Sequence, residues 1–499
     1  MSFCANLPLF SIVGCLLCSV LSSVLPERGA KWLTRLLAAA VALGAAAVLG
    51  LGLKTGGNTL YLMGHFPHPW GNELRFGLLE PLFAGSFALV LLLCLWGGSA
   101  ELERDIAPER RSFYYVMADL VLAALLSLCY TNDIFTGYVF IEICTIASCG
   151  LLMIRRIGRT TLASTRYMIF SLVGSGLFLL GVILLYGQTG HLLFPNLRQS
   201  VAALWAGGER RFTLLCSMGL ITVGLGVKSG LFPFYFWMPD TYGYATPASA
   251  GILSGLISKG YIFLLIKILC CVFGTEVFYG GGLGDLIFLM GLAGMLLGSV
   301  NAMGERDLFR MLAFSSAAQI GYIYLGLGLS PRLGIGAALF QILSHALTKP
   351  ALFLSASRLS GAAGEARSLQ ALQGAGRMDR TAGLFFGLGA FSMIGIPGTM
   401  GFLAKYGFAR AALAENWKLL PAILALAVST ILNACYFGRA LLYLRSQGSE
   451  AGAQMPTPKG RTGFLSAVGL LLALNLSLGL QARPLLALLE RGLALLQLP

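Results

Sequence analysis

Six ionisable side chains lie within long apolar stretches of the sequence, where they could bind and release protons: Glu142, Lys228, Lys259, His345, Lys349 and Lys405. Carboxylate, ammonium and imidazole groups can each exchange a proton with a hydrogen-bonded neighbour. A charged side chain near the middle of a membrane-spanning helix is costly, so it is a functional candidate by default. An acid–base series of this kind suits proton movement along a hydrated line better than it suits a pocket for an organic solute.

Glu142 and Lys228 are the predicted pair of this series. Glu142 lies far from either end of its apolar run (TNDIFTGYVFIEICTIASCG), so its carboxylate cannot reach water. Its natural partner is a lysine on a neighbouring helix, because pairing offsets part of the cost of burial. Since a nearby carboxylate stabilises a buried ammonium, movement of Glu142 would switch Lys228 between holding and releasing a proton. A purely structural ion pair is the alternative.

The other four candidates continue the series along the chain. Lys259 is surrounded by apolar residues in ILSGLISKGYIF, and Lys405 follows a predicted helix break in PGTMGFLAKYGF. His345 and Lys349 are four residues apart in QILSHALTKP and therefore share one helix face. Histidine titrates nearest neutral pH and can pass a proton in either direction. A buried histidine that only packs is the alternative for His345.

Further charged residues in the apolar runs are expected to have structural roles. Asp119 and Arg439 lie off the inferred row. Lys267 lies near a helix end, so we expect its long stem to carry the ammonium to the membrane interface. Asp307, with Arg310, is predicted to begin a helix, where an acidic residue is favourable.

Composition identifies the elements that must position these residues. The sequence has 499 residues, of which 57% are hydrophobic and 11% charged, whereas soluble proteins carry about 25% charged residues. The net charge of +14 fits the positive bias of inward-facing membrane loops and does not require nucleic acid as a partner. We therefore predict an all-α, multi-pass protein of the cell inner (cytoplasmic) membrane, with both termini on the outer side.

Apolar runs long enough to cross the hydrocarbon layer predict about fourteen transmembrane helices. They lie at 4–25, 33–53, 79–98, 112–130, 133–154, 166–187, 212–239, 248–272, 281–303, 310–330, 333–357, 381–409, 419–445 and 462–481. The first run lacks a basic leader and is expected to be a span rather than a signal peptide. Residues 58–76 predict a small external hairpin, and residues 481–499 an amphipathic tail too short to span.

Two of the spans contain prolines that should break the helix. The run 212–239 contains Lys228 and Pro233, and the run 381–409 contains Pro397 and Lys405. Such breaks persist at membrane depth only where protein or a water-filled cavity satisfies the freed backbone groups. Because the breaks are five spans apart, we expect two inverted five-helix repeats with the working site between them.

This pattern predicts four regions. Residues 1–111 hold the first three helices and the hairpin, 112–272 the first repeat, 281–445 the second repeat, and 446–499 the last helix and the tail.

Several segments are similar to the signatures of one family. They are TNDIFTGYVFIEICTIAS, KSGLFPFYFWMPDTY, PASAGILSGLISKG, RDLFRMLAFSSAAQIGY, SHALTKPALFL and IGIPGTMGFLAK. These resemble the antiporter-like subunits of respiratory complex I, of Mrp-type multisubunit Na⁺/H⁺ antiporters, and of membrane-bound hydrogenases and formate hydrogenlyases. The resemblance spans residues 60–445 and implies fourteen helices, two inverted repeats and a proton path along the membrane plane.

The resemblance also assigns roles to residues. The family's glutamate–lysine pair falls on Glu142 and Lys228, its connecting lysine on Lys259, and its exit lysine on Lys405. Its broken-helix histidine and lysine fall on two further residues, His345 and Lys349.

The chain departs from the family pattern at three positions. Tyr242 and Gln319 stand where the family often has histidine, and Phe309 where it has a basic residue. These changes concern side branches toward the cytoplasm. Because no long lateral C-terminal helix fits in this sequence, the chain is most similar to the Mrp D-type subunit and its hydrogenase counterparts.

We therefore predict a subunit that translocates protons; whether it also exchanges Na⁺ for H⁺ is left open. Its predicted partners are the other membrane subunits of a Mrp-type antiporter, a complex I-like complex or a hydrogenase. A stand-alone transporter for an organic solute and an idle scaffold are the alternatives. The eleven cysteines show no iron–sulfur spacing, so we predict no cofactor and no catalytic chemistry in this chain itself. We expect the protein to lie in the lipid bilayer and to transport protons.

Overall fold

The computed structural model describes residues 3–66, 71–208, 210–447 and 460–497, and almost all of them are helical. The α-helices are α1 (Leu7–Val24), α2 (Glu27–Thr55), α3 (Leu79–Gly97), α4 (Ser99–Asp105), α5 (Pro108–Tyr130), α6 (Ile134–Met153), α7 (Gly158–Thr189), α8 (Phe194–Gly207), α9 (Arg211–Ser229), α10 (Met238–Tyr244), α11 (Pro247–Ile252), α12 (Ser258–Ile268), α13 (Gly274–Gly280), α14 (Leu283–Gly304), α15 (Leu308–Leu329), α16 (Leu333–Ala362), α17 (Ala375–Met378), α18 (Arg380–Ile394), α19 (Met400–Ala412), α20 (Leu419–Arg445), α21 (Arg461–Leu480) and α22 (Arg483–Gln497). The two strands are β1 (Thr59–Leu62) and β2 (Glu73–Phe76).

The predicted membrane class is confirmed. In the described part of the chain, thirteen helices are long and apolar enough to cross a membrane. The predicted span 381–409 instead forms two shorter helices, α18 and α19. The exact number of fourteen spans and the inverted repeats therefore stay predictions.

The first predicted break lies directly after Lys228. Gly230 follows the last residue of α9 and has the left-handed φ of 82° that favours glycine. The amides of Gly230 and Leu231 both donate to the carbonyl of Gly226, at 3.0 and 2.8 Å. This pattern satisfies carbonyls at the helix end, and Pro233 follows. The chain then resumes as a 3₁₀ turn, Phe234–Trp237, and α10.

The second break has the same local geometry. Gly395 follows the last residue of α18 and has a φ of 89°. The amides of Gly395 and Ile396 both donate to the carbonyl of Phe391, each at 3.0 Å, and Pro397 follows. Both proline-containing breaks predicted from the sequence are thus present, and each leaves main-chain carbonyls free for side chains.

A third irregularity was not predicted. Between α11 and α12 the helix widens into a π-helical segment, Leu253–Ile257, and a second one, Leu269–Phe273, follows α12. A Cβ atom on Gly255 would lie 2.9 Å from Pro350, so α16 packs directly against the first segment. Helix α16 itself runs unbroken through Pro350. Lys259 lies just after the π-helical segment, a type of irregularity common at functional sites.

The hairpin and the tail form one unit. Strands β1 and β2 pair antiparallel, with Thr59 opposite Phe76, which confirms the predicted hairpin; its residues 67–70 lie outside the described residues. Helix α22 buries one leucine face, as expected for an amphipathic tail: Leu485, Leu489, Leu493 and Leu496. The carbonyl oxygen of Leu495 accepts hydrogen bonds from Arg75 at 2.6 Å and from Asn58 at 3.1 Å.

Asp119 and Asp307 have the structural contacts expected of them. Asp119 accepts hydrogen bonds from Ser22 of α1 at 3.0 Å and Thr34 of α2 at 3.1 Å. Asp307 begins α15 by accepting hydrogen bonds from two backbone amides, including that of Arg310 at 3.1 Å.

Arg310 and Arg439 also bind at this end of α15. The Arg310 side chain donates to Glu305 at 3.0 Å, and Arg439 donates to the Glu305 carbonyl at 2.7 Å. Arg439 therefore contacts the segment before α15, and its structural role stays a prediction.

The expectation for Lys267 was wrong. Its side chain is fully buried and does not extend to an interface. The ammonium donates to the carbonyls of Cys129 at 2.5 Å and Thr131 at 2.7 Å, at the C-terminal end of α5. A helix end carries unpaired carbonyls and favours a cation. Lys267 thus caps the C-terminal end of α5, a contact that cannot be predicted from the spacing of residues in the sequence.

We predict that Lys267→Met destabilises the protein, because two buried carbonyls lose their charged donor. The loss should be about 1–3 kcal/mol, the usual cost of unpaired buried polar groups. The thermal midpoint of the purified protein in detergent would measure it. Lys54→Met, at an exposed lysine near the end of α2, is the matched control. An equal midpoint for both variants would show that the Lys267 contacts are not structural.

Candidate functional site

The predicted pair of Glu142 and Lys228 is present. The Lys228 ammonium lies 3.3 Å from the Glu142 carboxylate and 2.7 Å from the hydroxyl of Thr145, one helical turn further along α6. The Lys228 side chain is 0% exposed, whereas that of Glu142 is 25% exposed. The lysine is therefore enclosed, and the side chain of its carboxylate partner is partly exposed.

Close packing of α7 on α9 holds the lysine stem in place. A Cβ atom on Gly174 would lie 2.8 Å from the carbonyl of Gly224 and 3.0 Å from the Lys228 stem, so only glycine fits. On the same helix α7, the hydroxyl of Ser175 donates to the Glu142 carboxylate. One carboxylate oxygen of Glu142 thus accepts hydrogen bonds from two donors, the ammonium and a hydroxyl.

A tyrosine on α12 lies next to this pair. The Lys228 ammonium lies 5.7 Å from the centre of the Tyr261 ring, and the Tyr261 hydroxyl lies 3.4 Å from the hydroxyl of Thr145. Tyr261 is two residues from Lys259 on α12. Thr145 and Tyr261 were not identified from the sequence, because a lone threonine or tyrosine in an apolar span usually packs.

Lys259, His345 and Lys349 form the central group, and all three are fully buried. The Lys259 ammonium donates to the carbonyl of Ser254, inside the π-helical segment. The Lys349 ammonium donates to the carbonyl of Leu312 on α15 at 2.8 Å. The π-helical segment before Lys259 packs on α16 at the proline that follows Lys349, so the three basic side chains lie on the two elements that meet there.

His345 has no fixed partner among the described residues. Neither ring nitrogen forms a hydrogen bond with a described residue. In that part of the chain, no carboxylate forms an ion pair with Lys259, His345 or Lys349. The group is therefore a cluster of three basic side chains, in which the two lysines donate to main-chain oxygens and the histidine does not.

A strip of polar side chains on α15 leads away from this group. Ser315, Gln319 and Tyr322 follow Leu312 at spacings of three and four residues, and therefore share one helix face. Gln319 accepts a hydrogen bond from Gln341 at 2.6 Å, and Ser315 accepts one from Tyr436 at 3.0 Å. The spacing in RMLAFSSAAQIGY could have revealed this strip, which the sequence analysis missed.

Lys405 lies at the far end of the strip. Its ammonium donates to the carbonyl of Ile394 at 2.7 Å and to the hydroxyl of Thr430 at 3.0 Å. It lies 5.4 Å from the centre of the Tyr322 ring. Ile394 is the last residue of α18, so the lysine on one half of the broken helix reaches back to the end of the other half. Its side chain is only partly buried.

The structure thus joins some of the predicted residues and separates others. Glu142 and Lys228 are in direct contact, whereas the central group and Lys405 contact neither that pair nor each other by a direct hydrogen bond among the described residues. Thr145 and Tyr261 contact Lys228, and Tyr322 contacts Lys405.

Two of the three departures from the family pattern keep a polar contact. Tyr242 lies 3.1 Å from the hydroxyl of Ser258, next to Lys259, and Gln319 belongs to the α15 strip. The ring of Phe309 contacts the guanidinium of Arg367.

One further buried lysine lies outside the row. Lys418 forms an ion pair with Asp285 at 2.6 Å and donates to the carbonyl of Gly328 at 2.8 Å, near the end of α15. The rings of Tyr279 and Trp417 lie within 6.0 Å of its ammonium. Like Lys267, it satisfies the end of a helix.

Comparison with known proteins agrees with this architecture. Residues 131–432 match the family model described as NADH:quinone oxidoreductase/Mrp antiporter, transmembrane. The N-type subunit of the NADH-quinone oxidoreductase of Desulforudis audaxviator is 34% identical, covering 86% of this chain and 84% of the relative. The D-type subunit of the Na⁺/H⁺ antiporter of Alkalihalophilus pseudofirmus is 27% identical, covering 87% and 86%.

Solved structures share the fold. A chain of the Mrp complex from Dietzia sp. superposes with a TM-score of 0.87 at 24% identity, covering 100% of this chain and 98% of the other. A chain of respiratory complex I from Thermus thermophilus gives 0.69 at 24% identity, covering 97% and 100%. The family and the fold inferred from the motifs are both confirmed.

We predict an asymmetric effect of separating Glu142 from Lys228. Glu142→Gln leaves the enclosed ammonium without its anion, whereas Lys228→Met leaves a carboxylate that is partly exposed. Removing one partner of a buried pair costs about 3–5 kcal/mol, while replacing both is often near neutral. The thermal midpoint should therefore fall most for Glu142→Gln and least for the double variant. Additive losses in the double variant would contradict the pairing.

Proposed function

This chain belongs to the NADH:quinone oxidoreductase/Mrp antiporter family, and we propose that it is a proton-translocating membrane subunit of a multisubunit complex of that kind. The observation that carries the proposal is the contact between Glu142 and the enclosed Lys228, directly before a helix break. The other buried lysines of the described chain each donate to a main-chain carbonyl, whereas Lys228 donates to the side chains of Glu142 and Thr145, so its stabilisation can change without a movement of the backbone.

The pair acts as the gate. When the carboxylate lies against the lysine, the ammonium is stabilised and holds its proton. When it shifts toward Ser175, the enclosed ammonium loses its anion, and releasing the proton becomes favourable. The break after Lys228 supplies the free backbone groups that water needs at this depth.

The central group acts as the relay. Lys259, His345 and Lys349 are close enough to repel one another when charged, and among the described residues no acid neutralises them. A proton arriving at one of them therefore favours release from another. The unpaired ring nitrogens of His345 support a functional role, because an unpaired buried polar group is costly unless it is used.

Lys405 acts as the exit. It is the least buried cation of the row, and it lies at the second break. We further propose that 112–272 and 281–445 form the two inverted repeats, with the relay at their junction.

The partners follow from the family. The relatives are named as subunits of NADH-quinone oxidoreductases and of Na⁺/H⁺ and K⁺/H⁺ antiporters. This favours a complex over a stand-alone transporter for an organic solute. The exchanged cation differs among these relatives, so the proposal is confined to protons.

We predict that both Lys405→Ala and Lys405→Arg abolish proton translocation. Alanine removes the exit group, and arginine keeps its proton at any accessible pH. Removal of a positioned proton-transfer group typically lowers a rate by about 10²-fold or more. Proton uptake by proteoliposomes containing the intact complex, at matched subunit levels, would measure the effect.

Two comparisons make this test specific. Lys405→Glu, which remains titratable, should retain part of the uptake, and Lys54→Ala should retain all of it. Uptake at the parental rate in Lys405→Arg would show that residue 405 supplies a fixed positive charge and does not relay protons.

A further inference from the structure

A groove lined by three arginines lies apart from the proton row. Helices α17, α18 and the end of α20 enclose a cavity of about 450 Å³ that contains Arg377, Arg380 and Arg445. All three side chains are exposed. In the described part of the chain, none of them forms an ion pair, and the cavity lining contains no acidic residue. Among the described residues, the groove therefore carries three positive charges that no acidic side chain pairs with.

The fold holds these arginines together. Arg377 donates from its Nε to the carbonyl of Arg445 at 2.7 Å, which ties α17 to the end of α20. A Cβ atom on Gly376 would lie 2.9 Å from the carbonyl of Leu444, so glycine allows the two elements to touch. The neighbouring acid, Asp379, is already occupied by Arg358 at 3.1 Å.

The lining of the groove changes from charged to apolar along α18 and α20. Leu384 lies one turn beyond Arg380 on α18, and Leu441 lies one turn before Arg445 on α20, and both line the cavity. Leu384 is 56% exposed. Arginines at the helix ends and leucines one turn deeper match the boundary between lipid headgroups and acyl chains.

We propose that this groove binds an anionic glycerophospholipid. The guanidinium groups would bind the headgroup phosphate by charge-assisted, bidentate hydrogen bonds, and the leucines would contact the acyl chains. The volume lies in the range of small-molecule sites. Basic pockets between membrane helices are suited to such headgroups. Inorganic phosphate would contact only the arginines, so a comparison of its affinity with that of the phospholipid distinguishes the two ligands.

The test uses the intact complex purified in detergent, titrated with phosphatidylglycerol, and bound lipid counted by native mass spectrometry. Arg380→Gln should weaken phosphatidylglycerol binding about tenfold, as expected for the loss of a charge-assisted hydrogen bond. Arg380→Lys should weaken it less, because the charge remains and the bidentate geometry is lost. Arg445→Gln gives a second, independent variant should Arg380→Gln fail to assemble.

The matched control is Arg306→Gln. Arg306 is exposed, and its carbonyl accepts from the amide of Leu369, so it lies at the same end of the helices but outside the groove. This variant should bind phosphatidylglycerol like the parent.

Four results would overturn the proposal. The first is that Arg306→Gln weakens phosphatidylglycerol binding as much as Arg380→Gln does. The second and third are that the parent complex binds phosphatidylcholine, or inorganic phosphate, as tightly as it binds phosphatidylglycerol. The fourth is that the parent complex binds no phosphatidylglycerol while Arg380→Gln loses a partner subunit, which would make the groove a subunit interface.

Discussion

The constraint on which the structure depends is that hydrocarbon cannot solvate an ammonium group, so every buried lysine needs an oxygen from the protein. Most of these oxygens are main-chain carbonyls at places where a helix ends or widens. Lys259 uses the π-helical segment, Lys405 the end of α18, Lys267 the end of α5, and Lys418 the end of α15. A regular helix has few carbonyls to offer, so helix irregularities and buried lysines occur together.

This constraint separates two kinds of buried lysine. Lys267 holds a helix end through carbonyls alone, and Lys418 holds one through a carbonyl and an ion pair with Asp285. Lys228 differs because, in the described part of the chain, its hydrogen-bond partners are the side chains of Glu142 and Thr145. A lysine stabilised by side chains, which can change rotamer, is suited to a gate, whereas a lysine fixed by the backbone is suited to a structural role.

Sequence reasoning identified the features that leave a local signal. Low charge and long apolar runs predicted the membrane class, prolines after glycines predicted both breaks, and the motifs predicted the contact of Glu142 with Lys228. The prediction for Lys267 was wrong because its partners, the carbonyls of Cys129 and Thr131, are distant in sequence. Every residue has a main-chain carbonyl, so residue type gives no sign that these two would bind a lysine. The π-helical segment beside Lys259 was missed because it depends on the packing of Gly255 against Pro350, which only the fold creates.

The central claim is that protons pass through the middle of the row, from the pair at Lys228 to Lys405. Lys259 is the test point, because it lies between them and contacts neither. Proton uptake by proteoliposomes containing the intact complex with Lys259→Met, compared with the parent at equal thermal midpoint, measures this directly. The account predicts that uptake is lost although the Glu142–Lys228 pair is intact. Uptake at the parental rate would contradict it, and would show that protons bypass the central group.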